Sequence, residues 1–298
     1  MTDRASISER LGRPGQLRSL HLGETTVTYV PDGAARLSPR GWLPVTTDDD
    51  WAEHSRFLDE SGQLVDSIGG LLVERGGRAL LIDAGLGQAS SPAWGGPIGA
   101  VDSGGLLDRL ADVGRDPGTV ETVAFTHLHP DHVGWAWRAA PDRDDAAFTT
   151  AEYRISAAEW EHRELMTGHG TPKDVLEKLE PRLRTLADGE EIFPGVVARV
   201  IGGHTAGHTA YVISDGGRRI IAFGDAFHTP AQISKPHWCA ANDHDPEAGA
   251  QERRRLIQEL TQPDTVGFGG HFADVVFGRV EMRGGEPVWQ PVENVDRL

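Results

Sequence analysis

The sequence predicts a layered α/β protein, with two mixed sheets inside and helices outside. Short β-branched or apolar runs alternate with helical segments, and this alternation occurs in two similar passes along the chain. The chain has 298 residues, which is enough to bury a substantial core without disulfide bridges. Because neither a Gly/Ser linker nor a low-complexity segment divides it, we predict a single domain over residues 1–298.

The first pass begins with a polar segment, residues 1–20, which we expect to form a loose arm or a short helix. Residues 34–62 place large aromatic side chains among polar ones, and we expect an irregular or helical insertion near the functional site. Gly76-Gly77 lies between two apolar runs and predicts a hairpin. The predicted regular elements are the strands Thr25–Val30, Ser67–Glu74, Ala79–Asp83 and Thr119–Phe125 and the helix Gly105–Val113.

The second pass repeats this pattern and ends in a hairpin. Residues 155–187 are rich in Glu, Leu, Ala and Arg and predict helices, and Gly284-Gly285 marks the turn of a final hairpin over Val275–Pro291. The other predicted elements are the strands Phe148–Thr150, Val196–Ile201, Ala210–Ser214, Ile220–Phe223 and Thr265–Gly267 and the helix Arg253–Leu260.

Charge and composition argue against two classes of partner. The formal net charge is −16 and the sequence has no Lys/Arg cluster, so we expect no binding to nucleic acid. No apolar run approaches the length of about 18 residues that a membrane span needs. The polar N-terminus lacks the apolar part of a signal peptide, and a single cysteine, Cys239, fits a reducing compartment, so we expect a cytoplasmic protein.

A dense group of metal-binding side chains follows the last predicted strand of the first pass. His127, His129, Asp131 and His132 fall within six residues. In an extended segment the alternating His127 and His129 point to the same side. Pro130 keeps His129 extended, and a helix that starts at the next residue turns the other two side chains back toward the same point. Because imidazole and carboxylate are ligands that zinc accepts, this segment can serve two neighbouring metals.

Three further segments place candidate ligands after predicted strands. His204, in the segment Gly-His-Thr-Ala-Gly-His, would complete the coordination of one metal, whereas we expect His208 of the same segment to have a supporting role. Asp225 follows a glycine at the end of an apolar strand and offers one carboxylate oxygen to each of two metals. His271, after Gly269-Gly270, would be the last ligand of the second metal.

These segments together resemble the metallo-β-lactamase superfamily. Thr126–His132 is similar to the HxHxDH signature of that family, and the later histidine, aspartate and histidine segments follow in the family's order within residues 67–271. The resemblance implies a four-layer αβ/βα sandwich with the metals at one edge. It implies one metal on His127, His129 and His204, a second metal on Asp131, His132 and His271, and a bridge through Asp225. It also implies that Asp83, after the strand Ala79–Asp83, orients a ligand histidine.

The resemblance further implies a hydrolase with two divalent metal ions. Zinc is the expected metal, and manganese, iron or cobalt are alternatives. A hydroxide that bridges the two metals would attack a lactone or another ester-like substrate. A thioester, a phosphotriester or a β-lactam would offer a similar electrophilic centre to the same site. An oxidoreductase that resembles the mononuclear-iron persulfide dioxygenases is the alternative from another class.

Two residues are candidates for a direct catalytic role. Asp131 can move a proton, and His228 can donate a hydrogen bond to a substrate oxygen or act as an acid. His228 replaces a tyrosine that acyl-homoserine lactonases of this family commonly carry three residues after the bridging aspartate. We do not expect Cys239 to be a nucleophile, since the sequence shows no partner base.

Aromatic residues near the ligand segments predict a small-molecule substrate with an apolar part. Each of them is also a candidate for the hydrophobic core. The expected substrate contacts are Trp135, Trp42, Trp51, Trp238 and Phe272, with Trp94 and Trp137 as further candidates. The sequence leaves a homodimer, formed through the N-terminal arm, open.

Overall fold

The computed structural model describes residues 6–141, 146–166 and 170–293 of the chain. Within these ranges the strands form two sheets, as the sequence predicts. The strands of the first sheet are β1 (Arg18–Leu22), β2 (Thr25–Leu37), β3 (Leu64–Arg75), β4 (Arg78–Ile82), β5 (Ala89–Ser91), β6 (Ile98–Ser103), β7 (Thr122–Ala124), β8 (Glu152–Ser156) and β9 (Leu183–Leu186). Those of the second are β10 (Glu191–Phe193), β11 (Val196–Val200), β12 (Thr209–Asp215), β13 (Arg218–Ala222), β14 (Thr265–Phe268), β15 (Phe277–Arg283) and β16 (Glu286–Pro291).

Both sheets are mixed. The first has the order β5-β6-β2-β3-β4-β7-β8-β9, with β1 paired to β2, and its strands from β4 to β9 along this order are parallel. The second has the order β10 to β16 and is antiparallel except for the pair β13 and β14. Two predictions for the second sheet are confirmed. A strand precedes each of His204, Asp225 and His271, and a hairpin forms the last two strands of the sheet.

Helices flank the sheets. They are α1 (Ile7–Leu11), α2 (Pro39–Trp42), α3 (Asp48–Glu53), α4 (Leu106–Asp112), α5 (Pro130–Trp137), α6 (Ala157–Glu161), α7 (Lys173–Leu179), α8 (Ala231–Ser234) and α9 (Pro246–Leu260). In the part of the chain that the structure describes, none of the helices is long and apolar enough to span a bilayer.

The hydrophobic core divides into layers, which explains the sandwich. Residues of the two sheets, such as Leu71 and Ile213, meet in one buried cluster. The outer face of the first sheet packs on α4, α5 and α7, for example through Leu110. The outer face of the second packs on α9, for example through Leu256. The α/β sandwich with two internal sheets and outer helices is therefore confirmed.

The structure corrects the sequence-based boundaries in four places. β2 does not end at Pro31 but continues to Leu37, with a register shift between Pro31 and Gly33, so the insertion expected over residues 34–62 begins as strand. The strand expected at Phe148–Thr150 lies instead at Glu152–Ser156. Residues 155–187 contain β9 as well as helices, and the expected N-terminal arm contains both α1 and β1, although residues 1–5 lie outside the described ranges.

Topology brings the candidate ligands to one edge. β4 and β7 are parallel neighbours, as are β13 and β14, so the segments that follow them emerge at the same end of each sheet. β11 and β13 are both antiparallel to β12 and therefore run in the same direction. The predicted site residues lie in the loops that follow β4, β7, β11, β13 and β14.

Candidate metal centre

The seven candidate ligands lie together in two groups. One group contains His127, His129, His204 and Asp225, and the other contains Asp131, His132 and His271; in each group the potential ligand atoms lie within 4.8 Å of one another. All of these side chains are buried except that of Asp131, which is partly exposed. The family resemblance implied the same division of the other six residues, with Asp225 as a bridge between the two metals.

The local backbone explains how one short segment contributes to both groups. His129 is extended, with φ −74° and ψ 154°, and caps α5, in which Pro130 is the first residue. Pro130 has no N–H to leave unpaired there, which makes it a favourable first residue of a helix. The first turn of α5 then directs Asp131 and His132 to the second group, whereas His127 and His129 face the first group.

Ring nitrogens of the first group point at one another across short distances. His127 Nε2 lies 2.7 Å from His129 Nδ1, and His204 Nε2 lies 3.0 Å from the same atom. His129 thus presents Nδ1 to the centre, while the other two histidines present Nε2.

Asp225 joins the two groups. Its Oδ2 lies 3.6 Å from His127 Nε2 and 3.4 Å from His204 Nε2. Its Oδ1 lies 3.2 Å from His132 Nε2 and 3.0 Å from His271 Nε2. One carboxylate oxygen therefore faces each group of histidines, which is the arrangement of a bridging ligand.

The donor set fits two divalent metal ions. His132 Nε2 is buried and makes no hydrogen bond among the described residues, and its nearest neighbour, Asp225 Oδ1, only accepts, so the lone pair on this nitrogen has no donor. Burial, together with the neighbouring His132, lowers the pKa of His127 well below its ordinary value, and burial with the neighbouring His204 does the same for His129. Both of these rings are therefore neutral, as metal coordination requires. In the second group burial alone would lower the pKa values of His132 and His271, but Asp225 and neighbouring carboxylates raise them well above their ordinary value, so a metal bound there would displace protons.

Three of the candidate ligand histidines are oriented by a hydrogen bond on the nitrogen that faces away from the centre. Because a carboxylate or a backbone carbonyl only accepts, these partners place a proton on Nδ1 and leave Nε2 free for a metal. The pairs are His132 with Asp83 Oδ2 at 2.9 Å, His204 with Asp243 Oδ1 at 2.9 Å and His271 with the carbonyl of Ser67 at 2.8 Å. Asp83 thus lies where the family resemblance implied.

Several supporting residues have no recognisable signal in the sequence. The fully buried Glu159, on α6, accepts hydrogen bonds from Leu128 N at 3.1 Å, Thr205 Oγ1 at 2.7 Å and Gly207 N at 2.9 Å. It therefore ties the loop of His127 and His129 to the loop of His204. Neither loop is near α6 in the sequence, so only the fold brings them together.

Asp32 has a similar role on the other side of the site. The sequence Pro-Asp-Gly suggests a turn, but Asp32 is buried within β2. Its carboxylate accepts from the backbone N–H groups of Leu86, Gly87 and Leu106 and from Trp135 Nε1, at 2.8 to 2.9 Å. The buried indole of Trp135 is thereby fixed in α5, the helix that carries Asp131 and His132.

His208 and His228 both contact Asp225 but in different ways. His208 Nε2 accepts a hydrogen bond from the Asp225 backbone N–H at 3.0 Å, and burial lowers the pKa of His208 to about 3, so the ring stays neutral and can accept. His228 Nε2 lies 3.2 Å from Asp225 Oδ2, and its ring stacks on that of His271 at 5.4 Å. Both nitrogens of His228 are buried without a hydrogen-bond partner in the described residues.

A cavity of about 430 Å³ opens beside the centre. His129, Asp131, Asp225, His228 and His271 form its floor. Its walls are mainly apolar and come from β2, β3, the segment after β4 and the segment around β6: Leu37, Ile68, Leu86, Pro97, Ile98 and Val101.

The aromatic residues divide between this cavity and the core. Trp42 and Trp94 line the cavity, and Trp94 is 48% exposed. The other expected contacts, Trp135, Trp51, Trp238 and Phe272, belong to the buried core instead and do not line the cavity. Burial explains the difference, because an indole or phenyl ring surrounded by core residues has no surface left for a ligand. Trp137 also packs on the core, and Cys239 is buried beside Arg253.

Comparison with known proteins agrees with this geometry. The family model of the metallo-beta-lactamase superfamily matches residues 70–271. No curated protein matches the chain in sequence.

Solved structures share the fold. AidC, a dizinc quorum-quenching lactonase, superposes with a TM-score of 0.78 at 19% identity, over 94% of this chain and 98% of that one. The hydrolase AbOPH has a TM-score of 0.74 at 22% identity, over 93% and 98% of the two chains. A probable metal-dependent hydrolase from Staphylococcus aureus has a TM-score of 0.75 at 23% identity, over 92% and 99%. With the family match over most of its length, this chain belongs to the metallo-beta-lactamase superfamily.

Proposed function

We propose that this protein is a dinuclear metal-dependent hydrolase that cleaves a lactone or another ester with an apolar acyl part. The observation that carries the proposal is the position of Asp225, with Oδ2 toward His127 and His204 and Oδ1 toward His132 and His271. This bridge lies at the floor of a largely apolar cavity. A substrate carbonyl placed on that floor has its apolar chain against the walls.

The metals, zinc in the first instance, would supply an activated water and polarise the substrate carbonyl. The chain's own residues hold and orient the substrate around them. His228 has two buried nitrogens without partners and lines the cavity, so it is placed to donate a hydrogen bond to a substrate oxygen. Asp131 is the most exposed of the proposed ligands and is placed to accept the proton that hydrolysis releases.

The solved relatives support the choice of an ester-like substrate. AidC was solved with a product, N-hexanoyl-L-homoserine, and another superposable structure is an N-acyl homoserine lactone hydrolase with the same product at its metal centre. The latter has a TM-score of 0.64 at 19% identity, over 86% of this chain and 94% of that one. Trp42 lines the cavity here and is the first substrate contact that we propose.

The alternative hydrolase substrates would react at the same metal centre. Thioesters, phosphotriesters and β-lactams all offer an electrophilic centre with an oxygen that a metal can polarise. A mononuclear dioxygenase is disfavoured because the second group, Asp131, His132 and His271, is complete. We also propose a single domain and a cytoplasmic location, and the proposal leaves a homodimer open.

Proton release by the zinc-loaded protein at neutral pH tests the proposal. The panel contains acyl lactones, aryl esters, thioesters, a phosphotriester and a β-lactam, and the Asp225→Ala variant, treated in the same way, is the matched control. We expect lactones or esters to be turned over faster than the others, with loss of activity on chelation and in the variant. Absence of turnover of every substrate by protein that holds two metals would refute the proposed activity.

A further inference from the structure

A second cavity, of about 190 Å³, adjoins the one over the metal centre. The two cavities share three lining residues, His129, Ala241 and Asn242. The shared residues place the second cavity directly beside the first, next to the ligands of the first metal group. A substrate that occupies both cavities would therefore extend past these shared residues.

The walls of the two cavities differ in chemistry. Those of the first are mainly aliphatic and aromatic. Those of the second come from α6, the segment after β11 and the segment before α9, and most of them are polar: Glu159, His162, Thr205, Asn242, Asp243 and His244. A part of the substrate that enters the second cavity must therefore be polar.

Two polar atoms of the second cavity are acceptors that no described residue satisfies, His162 Nε2 and Asn242 Oδ1. His162 Nδ1 lies 2.9 Å from the Ala158 carbonyl, which can only accept, so the proton is on Nδ1 and Nε2 presents a lone pair. Asn242 Oδ1 is buried and has no hydrogen-bond partner among the described residues. Both atoms need a donor from outside the protein.

The charged side chains around the second cavity also favour a hydrogen-bond donor. The carboxylates of Glu159 and Asp243 line it, and their hydrogen bonds to the protein are already formed. Asp243 is balanced by Arg253 at 3.4 Å, whereas no cation lies within ion-pair distance of Glu159 among the described residues. An anion would be repelled there, whereas a hydroxyl or an ammonium group would be attracted.

We infer that the substrate is an ester whose alcohol part carries a hydrogen-bond donor, and that this donor occupies the second cavity while the acyl chain occupies the first. The inference rests on the proposed function. In the reaction, water adds to the acyl carbon and the bond from that carbon to the alcohol oxygen breaks. The products are the carboxylate, the free alcohol and one proton.

Matched hexanoyl compounds test the inference. 2-(Dimethylamino)ethyl hexanoate, whose amine is protonated at neutral pH, is compared with 3-methylbutyl hexanoate, and 2-hydroxyethyl hexanoate with propyl hexanoate. Within each pair the shape is kept; the first pair changes the donor together with a positive charge, and the second changes the donor alone. The same pairs are made as ketones, with the ester oxygen replaced by a methylene group, and their dissociation constants for the metal-loaded protein are measured by calorimetry. We expect the donor to improve both kcat/KM and the dissociation constant about tenfold, the effect of one hydrogen bond of about 1.4 kcal/mol.

Two variants test whether the second cavity causes the preference for substrates that carry a donor. His162→Phe and Asn242→Leu remove one acceptor each, and we expect both to reduce the preference for the donor severalfold, measured as the ratio of kcat/KM values and of dissociation constants within each pair. His21→Phe, a change of an exposed histidine on β1, is the matched control and should preserve the preference.

The outcomes separate this inference from the proposed function. Equal binding of the two ketones of each pair, or a preference that survives both variants, overturns the inference even if every ester is hydrolysed. A tenfold binding preference that both variants reduce supports it. If that preference is found but no ester is cleaved, the polar cavity stands and the proposed ester hydrolysis is refuted.

Discussion

Replacing Asp83 by asparagine tests how the outer hydrogen bonds control the metal centre. Asp83 Oδ2 accepts from His132 Nδ1 at 2.9 Å, and its Oδ1 accepts from the Thr126 backbone N–H at 2.8 Å. Asp83 has a φ of 62°, a conformation that asparagine also tolerates, so Asp83→Asn preserves both the shape and the backbone. The amide can replace only one of the two carboxylate oxygens as an acceptor.

Either orientation of the new amide is unfavourable. If the NH₂ group faces His132, it places the imidazole proton on Nε2, the atom that the second metal needs. If it faces Thr126 instead, two donors meet and the backbone N–H loses its partner. Changes to such outer partners typically weaken metal binding by about 10- to 100-fold, or about 1.4 to 2.8 kcal/mol.

A competition titration of zinc against a chromophoric chelator measures this effect. We expect one of the two zinc equivalents to bind about 10- to 100-fold more weakly in Asp83→Asn, while the other keeps its wild-type affinity. Asp116→Asn is the control, since Asp116 is an exposed residue that only caps a turn through the Gly118 N–H. Two equivalents of wild-type affinity in Asp83→Asn would refute the reasoning about the His132 tautomer.

Three further substitutions test the fold and the site. A Cβ on Gly134 would lie 2.1 Å from the carbonyl carbon and oxygen of Leu86, so we expect Gly134→Ala to lower the free energy of unfolding, measured with urea, by at least about 1–3 kcal/mol. Gly12→Ala is the control, because the atom nearest to a Cβ on Gly12 is 3.7 Å away and the free energy of unfolding should change little. Equal effects of the two substitutions would contradict the packing argument. Asp225→Ala should lower the metal content below two equivalents and abolish turnover together; full metal content with normal turnover, measured by atomic absorption and proton release, would remove Asp225 from the centre. His228→Phe should retain both metals and reduce kcat about 100-fold on the best ester, and an unchanged kcat would show that His228 does not act on the substrate.

The sequence by itself identified the candidate ligand residues because their signals are local. One segment contains His127, His129, Asp131 and His132. The preceding strand, Pro130 and the start of the helix together determine the directions of these four side chains. The same holds for the hairpin at Gly76-Gly77, where φ values of 58° and 81° favour glycine. Such patterns depend on the backbone of a few neighbouring residues and are therefore visible without a fold.

Local sequence patterns gave wrong predictions where contacts with distant residues determine the structure. Pro31-Asp32-Gly33 has the composition of a turn, yet it lies inside β2, because Asp32 receives four donors from segments 54 to 103 positions away. The rings of Trp42 and Trp51 are equally apolar, so only packing could place Trp42 at the cavity and Trp51 in the core.

What only the tertiary structure decided is the set of groups around the ligands. Glu159 reaches loops 31 and 46 positions away, and Asp243 reaches His204 from 39 positions away. No local pattern predicts these contacts, since a buried carboxylate is stable only where several donors converge on it from different parts of the chain. The sequence thus determined which residues can bind metal, whereas the fold determined how they are oriented and which cavities a substrate can enter, because orientation and cavity shape both arise from packing between distant segments.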